Sequence, residues 1–182
     1  MQTRARRPGV RGVAAAIALG SALPGCSPVF DWREARPEGS GVVLMFPCRP
    51  VKQERSVRIG ASVVPMQLHS CSAGGATFLL DAVDVADPAQ VAPVMAAFRT
   101  QAATNLGGAG VEQGAFAPPG ATPNPQSARI GIVGTRPDGR RVVAQAAFFV
   151  KGLRLYQATV LGGDDAGGRE AVDTFFGAIR LP

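Results

Sequence analysis

Between Gly41 and Leu161 apolar residues recur at every second position in several short runs, and in two other stretches they recur at every third or fourth. The first period belongs to half-buried strands and the second to amphipathic helices. Val42 to Phe46 reads as a short strand stopped by Pro47, which has no N–H to give to a ladder. Ser56 to Ile59 and Val63 to Ser70 follow, the second alternating Val64, Met66 and Leu68 against Val63, Gln67 and His69. Ser72-Ala73-Gly74-Gly75 turns the chain into a further strand, Ala76 to Val83. Ala128 to Thr135 and Arg140 to Val150 flank Arg136-Pro137-Asp138-Gly139, where proline presets φ and glycine supplies the positive φ that closes a hairpin. Lys151-Gly152 then leads into Leu153 to Leu161.

Asp87-Pro88 opens the first helical stretch, because the carboxylate accepts from free first-turn amides and proline is tolerated where its missing N–H has no partner anyway. Val91, Val94, Met95, Phe98 and Ala102 then share one face until Gly107-Gly108 stops the helix. In the second stretch Val172, Phe175, Phe176 and Ile179 share a face, with Asp164 and Asp165 near the start, where the helix dipole favours negative charge. Between these, Gly107 to Pro125 is a Gly/Pro/Ala stretch with Phe116 in its middle, expected as a flap or surface loop. Val142 to Val150 has Gln145 as its single polar residue, so both faces of that strand must be covered. The order of elements therefore predicts an α+β domain, with an antiparallel β-sheet of about six or seven strands sandwiched between two helices.

The length of 182 residues suits one domain. A 46% hydrophobic content and a mean hydropathy of +0.13 exclude a multispanning membrane protein and a disordered chain. The net charge of +6 changes meaning once the N-terminus is read. Arg4, Arg6, Arg7 and Arg11 precede the apolar run Val13 to Leu23. As a helix that run rises only about 16 Å, roughly half a bilayer core, so it fits a signal peptide and not a permanent span. Leu23-Pro24-Gly25-Cys26 follows and resembles the lipobox of bacterial lipoprotein precursors. That resemblance implies cleavage between Gly25 and Cys26, diacylglycerol on the Cys26 sulfur and a further acyl chain on the new amino terminus. Ser27 resembles outer-membrane sorting, and the other reading is a secreted protein with a coincidental cysteine. One acyl chain anchors only marginally, so several hold a soluble domain at the membrane. Residues 1–25 are thus expected as leader, 26–40 as spacer and 41–182 as the domain, with Phe30 and Trp32 folding back onto the domain edge. Without the leader the 157 remaining residues carry 15 basic against 13 acidic groups, a net of +2, and the case for nucleic acid as a partner disappears.

With Cys26 given to lipid, Cys48 and Cys71 remain in a compartment where disulfides persist. A bridge between them closes a loop of about 24 residues. The competing chemistry is a metal site: His69 and Cys71 are two apart on a strand and project to one face, and Cys48 could complete a soft donor set for copper or zinc. The bridge is preferred, because oxidised cysteines donate no thiolate and the chain has one histidine. His69 and Cys71 also lack a nearby orienting carboxylate for a hydrolase, and Ser70 and Ser72 sit outside a G-x-S-x-G elbow. The runs Gly107-Gly108-Ala109-Gly110 and Gly162-Gly163 lack a phosphate cradle's lysine and read as turns. Asp164, Asp165 and Asp173 could recruit a cation, but acids early in a helix are more often capping charges.

Phe46-Pro47, Tyr156-Gln157-Ala158 and the closing Phe175-Phe176-Gly177-Ala178-Ile179-Arg180-Leu181 give residues 41–181 a resemblance to the PsbP-like superfamily, and within it to proteobacterial lipoproteins of that type. The resemblance implies an envelope accessory or interaction domain without catalytic residues or a cofactor. The expected function is accordingly that of a non-catalytic, lipid-anchored domain facing the periplasm, probing an envelope protein or ligand as partner. The alternative is a small metal- or thiol-handling periplasmic protein using Cys48, Cys71 and His69.

Overall fold

The computed structural model describes residues 29–59 and 62–182. Strand β1 (Arg33–Ala35) pairs antiparallel with β2 (Leu44–Phe46), placing Arg33 opposite Phe46. A hairpin of β3 (Val51–Ile59) and β4 (Ser62–Ala73) continues through Gly74 into β5 (Ala76–Asp84). Helix α1 (Val91–Asn105) then carries the chain to the far edge of the sheet. From there β6 (Gly108–Ala115), β7 (Ala128–Thr135), β8 (Arg141–Lys151) and β9 (Arg154–Leu161) return as a meander, and α2 (Ala166–Gly177) follows. The main sheet has seven strands in the order β3-β4-β5-β9-β8-β7-β6, antiparallel throughout. The architecture is α+β, and the two meanders meet where β5 pairs with β9.

Each helix covers one face. Under α2 the core contains Phe46, Phe78, Phe149, Tyr156, Phe175 and Phe176, with Phe78 and Phe175 edge to face at 5.3 Å and Phe149 stacked on Tyr156 at 5.0 Å. Under α1 lie Val83, Met95, Ile130, Ile132, Phe148 and Leu155. Adjacent Phe148 and Phe149 point to opposite faces and are both buried, as the near-continuous apolar run of β8 requires. The helix starts follow the acids: Asp87 accepts from the Ala89 amide at 2.8 Å and caps a 3₁₀ turn, Pro88–Gln90, that leads into α1, while Asp165 accepts from the Gly168 amide at 2.6 Å to cap α2.

Two segments differ from the sequence reading. Residues 108–115, expected as part of a loop, form β6. Its positions are mostly exposed, so no buried alternation marks it, and at Gly108, as at its partner Gly134 in β7, glycine lets the backbones approach closely. A Cβ at Gly108 would stand 2.2 Å from the Val133 carbonyl oxygen, and one at Gly134 would stand 1.9 Å from that of Leu106. The remainder, from Phe116, is a loop held to the core: Phe116 packs on Phe149 and Phe176, and the Thr122 amide donates to the Val150 carbonyl at 2.7 Å. The second difference is in the segment before residue 41, expected as spacer, which supplies β1. Phe30 and Trp32 fold back onto the domain edge as expected, against Phe78 with ring centroids 6.5 and 6.2 Å away. Ser40 is fully buried, its carbonyl accepting from the Tyr156 hydroxyl at 2.8 Å.

Candidate functional site

The cysteine pair is joined: Cys48 and Cys71 form a disulfide with Cα atoms 5.9 Å apart. Cys48 follows β2 and Cys71 sits in β4, so the bond pins the short N-terminal sheet to the main one. His69 does share the face of Cys71, and it is only 3% exposed, with neither ring nitrogen hydrogen-bonded. Burial, and then the neighbouring Lys52, push the imidazole pKa down, with Glu38 acting weakly in the other direction. With both sulfurs consumed by the bond, the soft donor set of two thiolates and an imidazole does not exist in this oxidised form. Among the described residues no group of three or more His, Cys, Asp or Glu side chains converges to hold a metal ion. The three C-terminal acids go separate ways: Asp165 caps α2, Asp164 pairs with Arg141 at 3.3 Å, and Asp173 pairs with Arg129 at 3.3 Å. Gly25 and Cys26, with the expected cleavage and lipidation, lie outside the described residues.

The site that sequence reasoning did not single out is on the other face of the sheet. Helix α1 lies over β6, β8 and β9, so the same face of β3, β4 and β5 is only partly roofed. A cleft of about 270 Å³ opens there, between the C-terminal half of α1 and strands β3 to β5. Val57, Met66, Leu68, Leu79, Phe98 and Ala102 give it an apolar wall, and Arg55, Gln101, Asn105 and Gln157 a polar margin. At its floor, in the middle of β5, is Asp81, flanked across the ladder by Leu68 of β4 and Gln157 of β9.

Asp81 is 8% exposed and its Oδ1 has no hydrogen-bond partner. Burial pushes its pKa up to about 7, against a smaller opposing pull from Arg55 on β3. The ring of amides around it is largely self-engaged. Gln157 Nε2 donates to Thr159 Oγ1 at 3.1 Å, and on the α1 rim Gln101 Nε2 donates to Asn105 Oδ1 at 2.6 Å. A buried carboxyl oxygen without a donor is costly for the fold, and a carboxyl at the floor of a cleft is suited to an external donor.

A larger hollow of about 500 Å³ lies between α1 and β6, but its charge is already matched: Arg99 pairs with Glu112 at 2.5 Å and donates to the Gln126 carbonyl at 3.3 Å. A hollow of about 240 Å³ beside Gly162 holds Arg140 and Arg141, paired to Asp138 and Asp164. In both, these charged pairs are already made, and neither is lined by a buried polar side-chain atom without a partner. Only the Asp81 cleft, of these three, presents a buried polar atom with nothing to bond. Comparison of the chain with family models, with curated proteins and with solved structures finds no match.

Chemically, the cleft can recognise but is poorly equipped to transform. A carboxyl titrating near neutrality has the right pKa for a general acid or base. Such a group still needs a nucleophile or a second acid within reach, and its facing neighbours are Leu68, Gln157, Phe98, Gln101, Ala102 and Asn105, with Arg55 at the mouth.

Proposed function

We propose that this chain is a non-catalytic binding domain of the bacterial envelope, held at the membrane by lipid on Cys26 and taking its ligand in the cleft under α1. The observation that carries the reading is the unpartnered Asp81 oxygen at the floor of a cavity with an apolar wall of Val57, Met66, Leu68, Leu79, Phe98 and Ala102 and a polar margin of Arg55, Gln101, Asn105 and Gln157. Support for the tether comes from the lipobox-like Leu23-Pro24-Gly25-Cys26, which stands four residues before Phe30, the ring packed on the domain edge. Four extended residues reach at most about 14 Å, so a lipid on Cys26 would hold the Phe30–Trp32 edge next to the headgroups. The periplasmic side, and the outer membrane in particular, is part of the same proposal, as is kinship with the PsbP-like lipoproteins, whose expected sheet between two helices this chain has. Among the described residues no helix is long and apolar enough to cross a membrane.

Two measurements test the proposal. Replacing Cys26 by alanine is expected to abolish incorporation of an alkynyl palmitate and move the protein from the membrane to the soluble fraction. An unlabelled native chain, or a Cys26→Ala chain that stays with membranes, would count against the tether. For the cleft, the neutral apolar dye N-phenyl-1-naphthylamine is expected to bind saturably to the full chain with a gain in fluorescence. Gln101 is exposed on the rim, so Gln101→Trp fills the mouth without entering the core and is expected to weaken the dye by about fivefold or more. Dye binding that does not saturate, or that ignores Gln101→Trp, removes the cleft as the binding site.

A further inference from the structure

We propose that the cleft under α1 is specific for a small organic ammonium compound with one positive charge, its nitrogen held on the Asp81 carboxylate and its apolar body lying against Met66, Leu68, Leu79 and Phe98. This rests on the cleft being the binding site and adds what it binds.

Three features converge on this ligand class. The first is the demand for charge. A carboxylate nine-tenths buried needs both a counter-charge and N–H donors, and an ammonium group supplies the two together. No ion pair to Asp81 forms within the described residues, and Oδ1 is left without a donor. Gln157 gives its amide nitrogen to Thr159, which leaves its own carbonyl oxygen beside Asp81 as an acceptor for a second N–H of the ligand.

The second is shape. The cavity of about 270 Å³ lies at the small end for ligand sites, with room for a body of roughly ten non-hydrogen atoms. A phenyl ring or a short branched alkyl group on two carbons fits that space, whereas a sugar or a nucleotide would strand its hydroxyls against Met66, Leu79 and Phe98.

The third is the charge at the entrance. The groups facing Asp81 are Leu68 from β4, Gln157 from β9, and Phe98, Gln101, Ala102 and Asn105 from α1, with Arg55 from β3 as the single charged one. Arg55 is exposed at the mouth, too far to pair with Asp81 but positioned to repel a second cation. A monoamine is therefore accepted and a diamine disfavoured.

The proton balance gives the site a pH response. The ligand nitrogen remains protonated across neutrality, so the carboxyl sets the dependence. With its pKa at about 7 the empty site is mostly ionised at pH 8 and mostly protonated at pH 6, and amine affinity falls about tenfold between them.

Calorimetric titration of the full chain with phenethylamine, 2-phenylethanol and 3-phenylpropionate tests this, since the three share a body and differ in charge. Phenethylamine is expected to bind at least about tenfold more tightly than 2-phenylethanol at pH 8, and to lose that advantage in Asp81→Asn and, in the native chain, at pH 6. Saturable binding of N-phenyl-1-naphthylamine by Asp81→Asn shows in the same sample that the variant is folded and its cleft intact. Equal affinity for the amine and the alcohol, an amine preference that survives Asp81→Asn, or tighter binding of 3-phenylpropionate through Arg55 each overturns the ammonium assignment. If the dye binds in any of these cases, the cleft remains the binding site and only its ligand class is wrong; if the dye also fails, both readings fall.

Discussion

At pH 8 the Asp81→Asn chain is expected to melt above the native chain, by about 8 °C, and the difference is expected to close as the pH is lowered toward 4. The direction follows from the raised pKa. In the unfolded chain this carboxyl titrates near 3.8, and in the folded one at about 7, because burial disfavours the charged form. Between these values the folded state binds the extra proton. The stability it contributes is therefore complete below the unfolded value and is lost as the pH rises through the folded one. A gap of about three pH units corresponds to roughly 4 kcal/mol, and a domain of this size gains or loses about 2 °C or more per kcal/mol. Asparagine keeps the shape and the polar head without the charge, so its own stability should be level across that range. Thermal melts of both chains from pH 4 to 8 check this. Parallel curves would mean that Asp81 carries no buried charge when folded, and the charge argument for the cleft would go with it.

A carboxyl that weakens the fold at neutral pH is unusual in the centre of a sheet, where Leu or Val would satisfy both β5 and its neighbours. Removing it is predicted to stabilise the protein and to cost it amine binding. That opposition between stability and binding is what a recognition group produces, and a group retained for packing would show the two changing together.

Much of the scaffold around this cleft could be read from alternation and turn chemistry. Arg136-Pro137-Asp138-Gly139 closes the β7–β8 hairpin, the apolar run of β8 is buried on both faces, and Asp87 and Asp165 sit at helix starts. Strand β3 was visible only from Ser56, because Lys52, Gln53, Glu54 and Arg55 give a charged, exposed edge that hides the period. Strand β6 was hidden because Gly108, Gly110 and Gly114 leave no side-chain pattern, Gly108 being the one that backbone clearance requires. The cleft residue itself did leave a trace. In β5, Phe78, Leu80 and Ala82 face α2, so Leu79, Asp81 and Val83 face the α1 side, and a carboxylate between two apolar residues in that row stands out as a polar group in an apolar period. What no pattern could supply is the path of α1, which roofs β6, β8 and β9 and leaves β3 to β5 ajar. The cleft is a consequence of helix placement, a tertiary fact.

The disulfide carries the other large expectation: the double variant Cys48→Ala, Cys71→Ala should lose about 3 kcal/mol against denaturant, with the native chain in reductant falling to the same level. The bond spans 23 positions of sequence, and cross-linking them removes loop-closure freedom from the unfolded chain. The loss should also be uneven. What the bond holds is the passage from β2 to the β3 edge, while β5, β8 and β9 are secured by their own ladders and by both cores. Amide exchange should therefore accelerate first in β1 to β4, where Ser40, Gln67 and His69 gain access to water, and later in β8. Cys71 is nearly buried, so alanine is the substitution to use; serine would leave a hydroxyl in the core without a partner and confuse loss of the bond with a new penalty. Uniform acceleration across all strands would mean that the bond secures the whole sheet and not one edge. Two free thiols in protein isolated without reductant would remove the bond altogether. They would return His69, with its two unpaired nitrogens on the face of Cys71, to the position of a candidate metal ligand.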